Sequence, residues 1–108
     1  MSASPNPWFV YILECENGKL YTGITVDLAR RFDQHASGRG ATFTRINKPR
    51  RLLAVKPCVD RSEASRLEAS VKRLSRPKKE RLCHAWRKDA ASTKDPALAR
   101  LLQEKLPW

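Results

Sequence analysis

An apolar run from Trp8 to Leu13 is broken by Glu16-Asn17-Gly18-Lys19 and resumes from Leu20 to Ile24. Strand-favouring residues on both sides of Asn-Gly predict a β-hairpin, and no other stretch constrains the chain as strongly. Register decides which side chains meet, because successive residues of a strand face opposite ways and a slip of one residue reverses the face. A two-residue loop, Asn17-Gly18, sets Cys15 opposite Leu20 and Tyr21 opposite Glu14, leaving Tyr11 on the other face. A three-residue loop, Glu16-Asn17-Gly18, sets Leu13 opposite Tyr21, with Gly18 as the left-handed residue of a G1 bulge. Tyr11 and Tyr21 then share a face as diagonal neighbours. Both loops are compatible with the sequence; a site built on the two tyrosines requires the second.

The next segment predicts a helix from about Leu28 to Ser37. Asp27 is a suitable N-cap, and Leu28, Phe32 and Ala36 form an apolar stripe. Arg31 and His35, four residues apart, stack at the margin of that stripe, while Arg30 points away from it toward solvent. Gly38 to Arg50 is polar, basic and loop-like. Arg51 to Val59 reads as a third strand centred on Leu52-Leu53-Ala54-Val55, with Pro57 limiting its end to an edge or exit position.

Asp60-Arg61-Ser62-Glu63 resembles a capping box opening a helix with Ala64, Leu67, Val71 and Leu74 on one stripe. Ser75-Arg76-Pro77 interrupts it, since proline suits a first turn. A further helix holds Leu82, Ala85 and Trp86. Lys88 to Lys94 reads as a linker, and Asp95-Pro96 opens a last amphipathic helix with Leu98, Leu101, Leu102 and Leu106 inward. Residues 1–7 read as a loose tail, 8–88 as one domain, and 89–108 as linker and C-terminal helix. The first strand is apolar on both faces, so the sheet is expected to be covered on both sides. The fold class is α+β: a three-stranded antiparallel sheet flanked by helices, with an extra C-terminal helix.

The 108 residues suffice for one domain with a modest core. Lys and Arg number 22 against 11 acidic residues, a net charge of +11. Such an excess favours polyanionic partners, nucleic acid or an anionic membrane surface. No stretch has the length of a membrane span, and residues 1–7 lack the apolar core of a signal peptide. Nucleic acid in the cytoplasm is therefore the expected setting, and no membrane partner is expected. Cys15, Cys58 and Cys83 are odd in number and lack zinc-ligand spacing, so they are expected to be reduced and partly buried.

Tyr11, Tyr21-Thr22-Gly23, Arg31 ten residues after Tyr21, His35, and Ala64-x-x-x-Glu68-x-x-x-Lys72 together resemble the GIY-YIG nuclease family. Gly38-Arg39-Gly40-Ala41-Thr42-Phe43-Thr44-Arg45 resembles its small stand-alone members. The likeness spans roughly residues 8–86. It implies metal-dependent phosphodiester hydrolysis in nucleic acid, with DNA as the expected substrate and Mg²⁺ or Mn²⁺ as cofactor. The implied catalytic set is Tyr11, Tyr21, Arg31, His35 and Glu68, with Glu68 the metal ligand. Tyr21 takes a proton from the attacking water, Tyr11 positions water or phosphate, and His35 contacts the phosphate or leaving group. A phenol ionises near pH 10 in water, at roughly that value in model peptides, so such a base needs cationic or metal neighbours. A guanidinium such as Arg31 can bond two phosphate oxygens and stabilise transition-state charge. A lone carboxylate leaves most of a magnesium shell to waters and phosphate oxygens.

Each residue has a plainer reading. Tyr21 can be a sheet aromatic, His35 a surface histidine, and Glu68 a surface partner of Lys72. Arg39, Arg45 and Lys48 can be solvated loop charges, but beside two glycines they suit phosphate tracking, as does Lys72. The first triplet reads Phe9-Val10-Tyr11, without the family's glycine, and Ile24 stands where some DNA-repair members carry lysine. These departures favour a rival reading, a non-catalytic nucleic-acid-binding module that keeps the nuclease fold. A second rival is a basic protein-interaction adaptor. Oligomeric state is left open by the sequence.

Overall fold

A computed structural model describes residues 8–40 and 42–91. The hairpin forms from β1 (Trp8–Cys15) and β2 (Leu20–Thr25). Leu13 pairs with Tyr21 and Glu14 with Leu20, which is the three-residue-loop register. The Cys15 amide donates to the Lys19 carbonyl (2.8 Å), and Gly18 has φ +83°, the left-handed conformation a G1 bulge requires. The Asn17 side chain accepts from the Lys19 amide (3.1 Å), bracing the turn.

Helix α1 (Leu28–Ala36) follows, its N-cap Asp27 accepting from the Arg30 amide at 3.1 Å. The segment expected as loop contains a short helix, α2 (Thr42–Ile46), and β3 (Pro49–Cys58) starts two residues before the expected Arg51. Polarity hid α2, whose single turn is too short to show a periodic apolar face. The sheet order is β2-β1-β3, all antiparallel, so Pro57 lies on an edge strand where a missing N–H is tolerated. A bulge at Leu53 puts Leu52 and Val55, three residues apart, on the same face.

Central β1 is buried on both faces. Phe9, Tyr11 and Leu13 pack with Leu28, Leu52 and Val55, and Tyr21 and Phe32 close that layer under α1. On the other face Val10 and Ile12 meet Ala64 and Val71 of α3 (Arg61–Lys72) and Cys83 and Trp86 of α4 (Arg76–Ala91). Asp60 caps α3 by accepting from the Glu63 amide (2.9 Å), and the Glu63 carboxylate accepts from Val59 N–H (3.0 Å). Pro77 sits in the first turn of α4. That helix continues through Lys88 to Ala91, across the first part of the expected linker, because Ala90 is buried at 7 % exposure and nothing in Arg87-Lys88-Asp89 breaks a helix. The N-terminal tail and the helix expected from Asp95-Pro96 lie outside the described residues.

All three cysteines are free and buried. Among the described residues no helix is long and apolar enough to cross a membrane.

Candidate active site

The hairpin register brings Tyr11 and Tyr21 to one face, ring centroids 6.3 Å apart. α1 crosses that face and lowers Arg31 and His35 onto them. His35 stands edge-on to both rings, its centroid 5.8 Å from that of Tyr11 and 5.2 Å from that of Tyr21. The Tyr11 hydroxyl lies 2.8 Å from His35 Nε2, and His35 Nδ1 lies 2.6 Å from Thr44 Oγ1. Arg31 donates from Nε to the Tyr11 hydroxyl (3.4 Å) and from its terminal nitrogen to Gln34 (3.0 Å), and it lies close enough to Tyr21 for that phenol to favour its charge.

A guanidinium can only donate, so the Tyr11 oxygen accepts there and its own proton is available to His35 Nε2. This assigns the remaining imidazole proton to Nδ1, which donates to Thr44. Tyr11, His35 and Thr44 are 2 %, 1 % and 1 % exposed, so the relay is sealed from water. Burial pushes the Tyr11 phenol up to about 12, against the pull of the Arg31 hydrogen bond. Burial, helped by the positive charge of Arg31, lowers His35 to about 4. At neutral pH Tyr11 is therefore protonated and His35 neutral. The hydrogen bond that Arg31 donates to Tyr11 raises the pKa of Arg31, which remains a cation.

Two glycines make room for this relay. A Cβ on Gly23 would fall on the Tyr11 hydroxyl, so the third residue of Tyr21-Thr22-Gly23 must be small. A Cβ on Gly40 would collide with the His35 ring. The role of Gly40 is thus packing against the buried histidine, where the sequence suggested close approach of phosphate.

Of the five expected catalytic residues, four meet directly: Tyr11, Tyr21, Arg31 and His35. Tyr21 and Arg31 are half-buried and reach the surface. His35 is not available to phosphate, because both ring nitrogens are engaged inside the protein. Glu68 comes from α3, which packs on the opposite sheet face and against β2. Its carboxylate is half-buried and ion-paired with Lys72 Nζ at 3.3 Å, and its negative charge is near enough to push the Tyr11 phenol up. Arg39, Arg45 and Lys48 are exposed along the segment joining α1 to β3, and Lys72 is exposed on α3. Arg39 donates to Ser37 Oγ at 3.1 Å. Arg30 is exposed as expected but lines one cleft of about 300 Å³ with Arg31, Ile24, Val26 and Gln34, so it does not point to a separate surface.

Thr44 and Gln34 were not singled out by the sequence. Gln34 lies three residues after Arg31 on the same helix face, a spacing that signals such a contact. Thr44 carries no local signal; its burial comes from the packing of α2 against α1.

A single carboxylate such as Glu68 would suit only a hard cation that keeps much of its own shell. Among the described residues no three of His, Cys, Asp and Glu gather as a metal site.

Comparison with known proteins identifies the family. The GIY-YIG catalytic domain matches residues 7–81. UPF0213 protein XAC3202 of Xanthomonas axonopodis pv. citri is 52 % identical over 73 residues, 68 % of this chain and 72 % of that protein. UPF0213 protein BH0048 of Halalkalibacterium halodurans is 53 % identical over 74 residues, 68 % of this chain and 79 % of its own. The solution structure of protein EF2693 from E. faecalis is 31 % identical, covers 81 % of this chain and 92 % of that one, and superposes with a TM-score of 0.55. Because the family model covers most of the chain and these relatives share about half of its aligned residues, the chain belongs to the GIY-YIG family, in the company of the UPF0213 proteins.

Proposed function

We propose that the protein is a divalent-metal-dependent endonuclease that hydrolyses phosphodiester bonds in DNA. The observation that carries this reading is Arg31, a half-buried cation that reaches the surface beside Tyr21 and donates to the hydroxyl of Tyr11, the first member of the buried Tyr11–His35–Thr44 relay. Its charge lies where a phosphate bearing extra negative charge would sit, and low-dielectric surroundings strengthen such a contact. Water attacks phosphorus in line. The new P–O bond forms as the proton of water passes to the Tyr21 oxygen while the phenolic proton passes to solvent, and the opposite P–O bond breaks, its oxygen taking a proton from solvent. Tyr11 holds its proton up to about pH 12 and so serves as a fixed strut that aims Arg31. His35 is the neutral, buried post behind it.

Mg²⁺ or Mn²⁺ would be held by Glu68 together with waters and phosphate oxygens, and when bound supplies Lewis-acid stabilisation of the developing charge. The exposed cations Arg39, Arg45, Lys48 and Lys72 track the phosphate backbone. Three reduced, buried cysteines suit a reducing compartment, and we place the activity in the cytoplasm.

The test is cleavage of continuous, branched and single-stranded DNA, with RNA in parallel, in Mg²⁺, Mn²⁺ and chelator. Tyr21→Phe should lose activity by about 10²–10⁴-fold, the usual contribution of a general base. Affinity measured in chelator should fall with salt by about 0.9 log unit per tenfold salt for each neutralised duplex phosphate. The ion pair of Glu68 with Lys72 favours a second reading, a binding module without chemistry. Salt-sensitive binding with no metal-dependent cleavage of any substrate would select it.

A further inference from the structure

The most exposed large apolar side chain among the described residues is Ile46, at 77 %, followed by Val59 at 67 % and Val26 at 46 %. Single exposed apolar residues are ordinary, but the setting of Ile46 is not. Thr44, two residues before it, is buried and bonded to His35 of the site. Asn47, immediately after it, is 9 % exposed and its side-chain oxygen accepts from the Asn17 amide in the hairpin turn. The Lys48 carbonyl accepts from the Glu16 amide at 2.8 Å. The backbone is thus pinned on both sides of Ile46 to the two elements that build the site, and the side chain is held outward. Arg45, Lys48 and Arg50, one to four residues from it along the chain, are all exposed cations.

An apolar tip flanked along the chain by exposed cations matches nucleic acid in which phosphates and a base face are presented together. A continuous duplex presents its phosphates but hides its base faces in the stack. Apolar wedges of this kind act where a base step is opened, and base faces are free in single strands, gaps and branch points. We propose that Ile46 packs against the face of an unstacked nucleobase, held by phosphate contacts from Arg45, Lys48 and Arg50, so that the preferred substrate has an interrupted base stack. This rests on the nucleic-acid reading above and specifies the substrate class of the same site.

The test is fluorescence anisotropy in chelator, using a continuous DNA duplex and the same duplex carrying a short run of unpaired bases that includes 2-aminopurine. The parent should bind the interrupted duplex about tenfold more tightly, the effect of covering roughly half of an isoleucine side chain. It should also change the 2-aminopurine fluorescence. Ile46→Ala should bring the two affinities together while leaving that for the continuous duplex unchanged. Ile46→Leu should retain the preference, and Val59→Ala, on the α3 side, should change neither value. Both altered residues are exposed, so unchanged Tm values verify the fold. Equal affinities of the parent for the two duplexes, or parallel loss on both for Ile46→Ala, would overturn the inference alone. A dimer of the free protein that Ile46→Ala dissociates would also overturn it, by giving Ile46 a second copy as its partner. Absence of any nucleic-acid binding would instead overturn the proposed function, and this inference with it.

Discussion

Replacing Thr44 by valine tests the buried relay behind Tyr11. Valine nearly matches threonine in shape, so little cavity opens and the main change is loss of the hydroxyl 2.6 Å from His35 Nδ1. Both residues are 1 % exposed, so water cannot replace the lost partner. A buried N–H left unpaired costs about 1–3 kcal/mol. In a domain of this size a loss of about 2 kcal/mol lowers Tm by roughly 10 °C. His35 can escape the penalty by moving its proton to Nε2, but that nitrogen then no longer accepts from Tyr11. Thermal unfolding gives the stability, and nitrogen-15 NMR of the imidazoles gives the tautomer. The chain has two histidines, so the His35 signals separate readily from those of His84. The parent should show the Nδ1–H form, Thr44→Val a lower Tm and a shifted tautomer, and Thr44→Ser a pattern close to the parent. A Thr44→Val protein with the parent's Tm and the parent's imidazole signals would refute the relay.

His35, held near 4 where an ordinary histidine titrates at 6.5, makes stability depend on acid. Between those values the unfolded chain binds the proton and the folded one does not. Stability should therefore be full above pH 6.5 and fall by on the order of 3 kcal/mol as pH drops to 4; urea unfolding across that range should show the slope, and His35→Gln should remove it. Gly40→Ala places a methyl against the His35 ring and should cost about 1–3 kcal/mol in chemical denaturation, with the Tyr11–His35 contact disturbed in NMR. Arg31→Ala should reduce cleavage by about 10²–10³-fold with little change in DNA affinity, one of 22 cations being lost from the surface while the transition-state contact is lost entirely. Arg66→Ala, exposed on α3, is the control, because Arg30 shares the cleft of Arg31.

The hairpin and its two tyrosines were legible in the chain because Asn17-Gly18 and the flanking strands carry local signals, but the loop length was not. Both registers satisfy the composition; the choice depends on Phe9, Tyr11 and Leu13 finding Leu28, Leu52 and Val55, which are distant in sequence. Arg31 and His35 were found by helical spacing and family likeness. That His35 is a sealed post was hidden, because its burial depends on Gly40 and Thr44 folding back over it. The same tertiary closure hid α2 and Thr44. The pairing of Glu68 with Lys72 was legible from their spacing of four, yet that spacing says nothing about how the Glu68 charge meets a site on the other face of the sheet.

Binding and cleavage of DNA by Glu68→Gln, measured side by side with the parent in Mg²⁺ and in chelator, test the central claim most directly. The substitution removes the single carboxylate proposed to hold the metal and raises the net charge by one from +11. It also frees Lys72 from its ion pair. The variant should bind DNA as well as the parent or better, while cleavage in Mg²⁺ falls by about 10²–10³-fold, as for other single electrostatic groups at reacting centres. Equal Mg²⁺-dependent cleavage by Glu68→Gln and the parent would contradict the account.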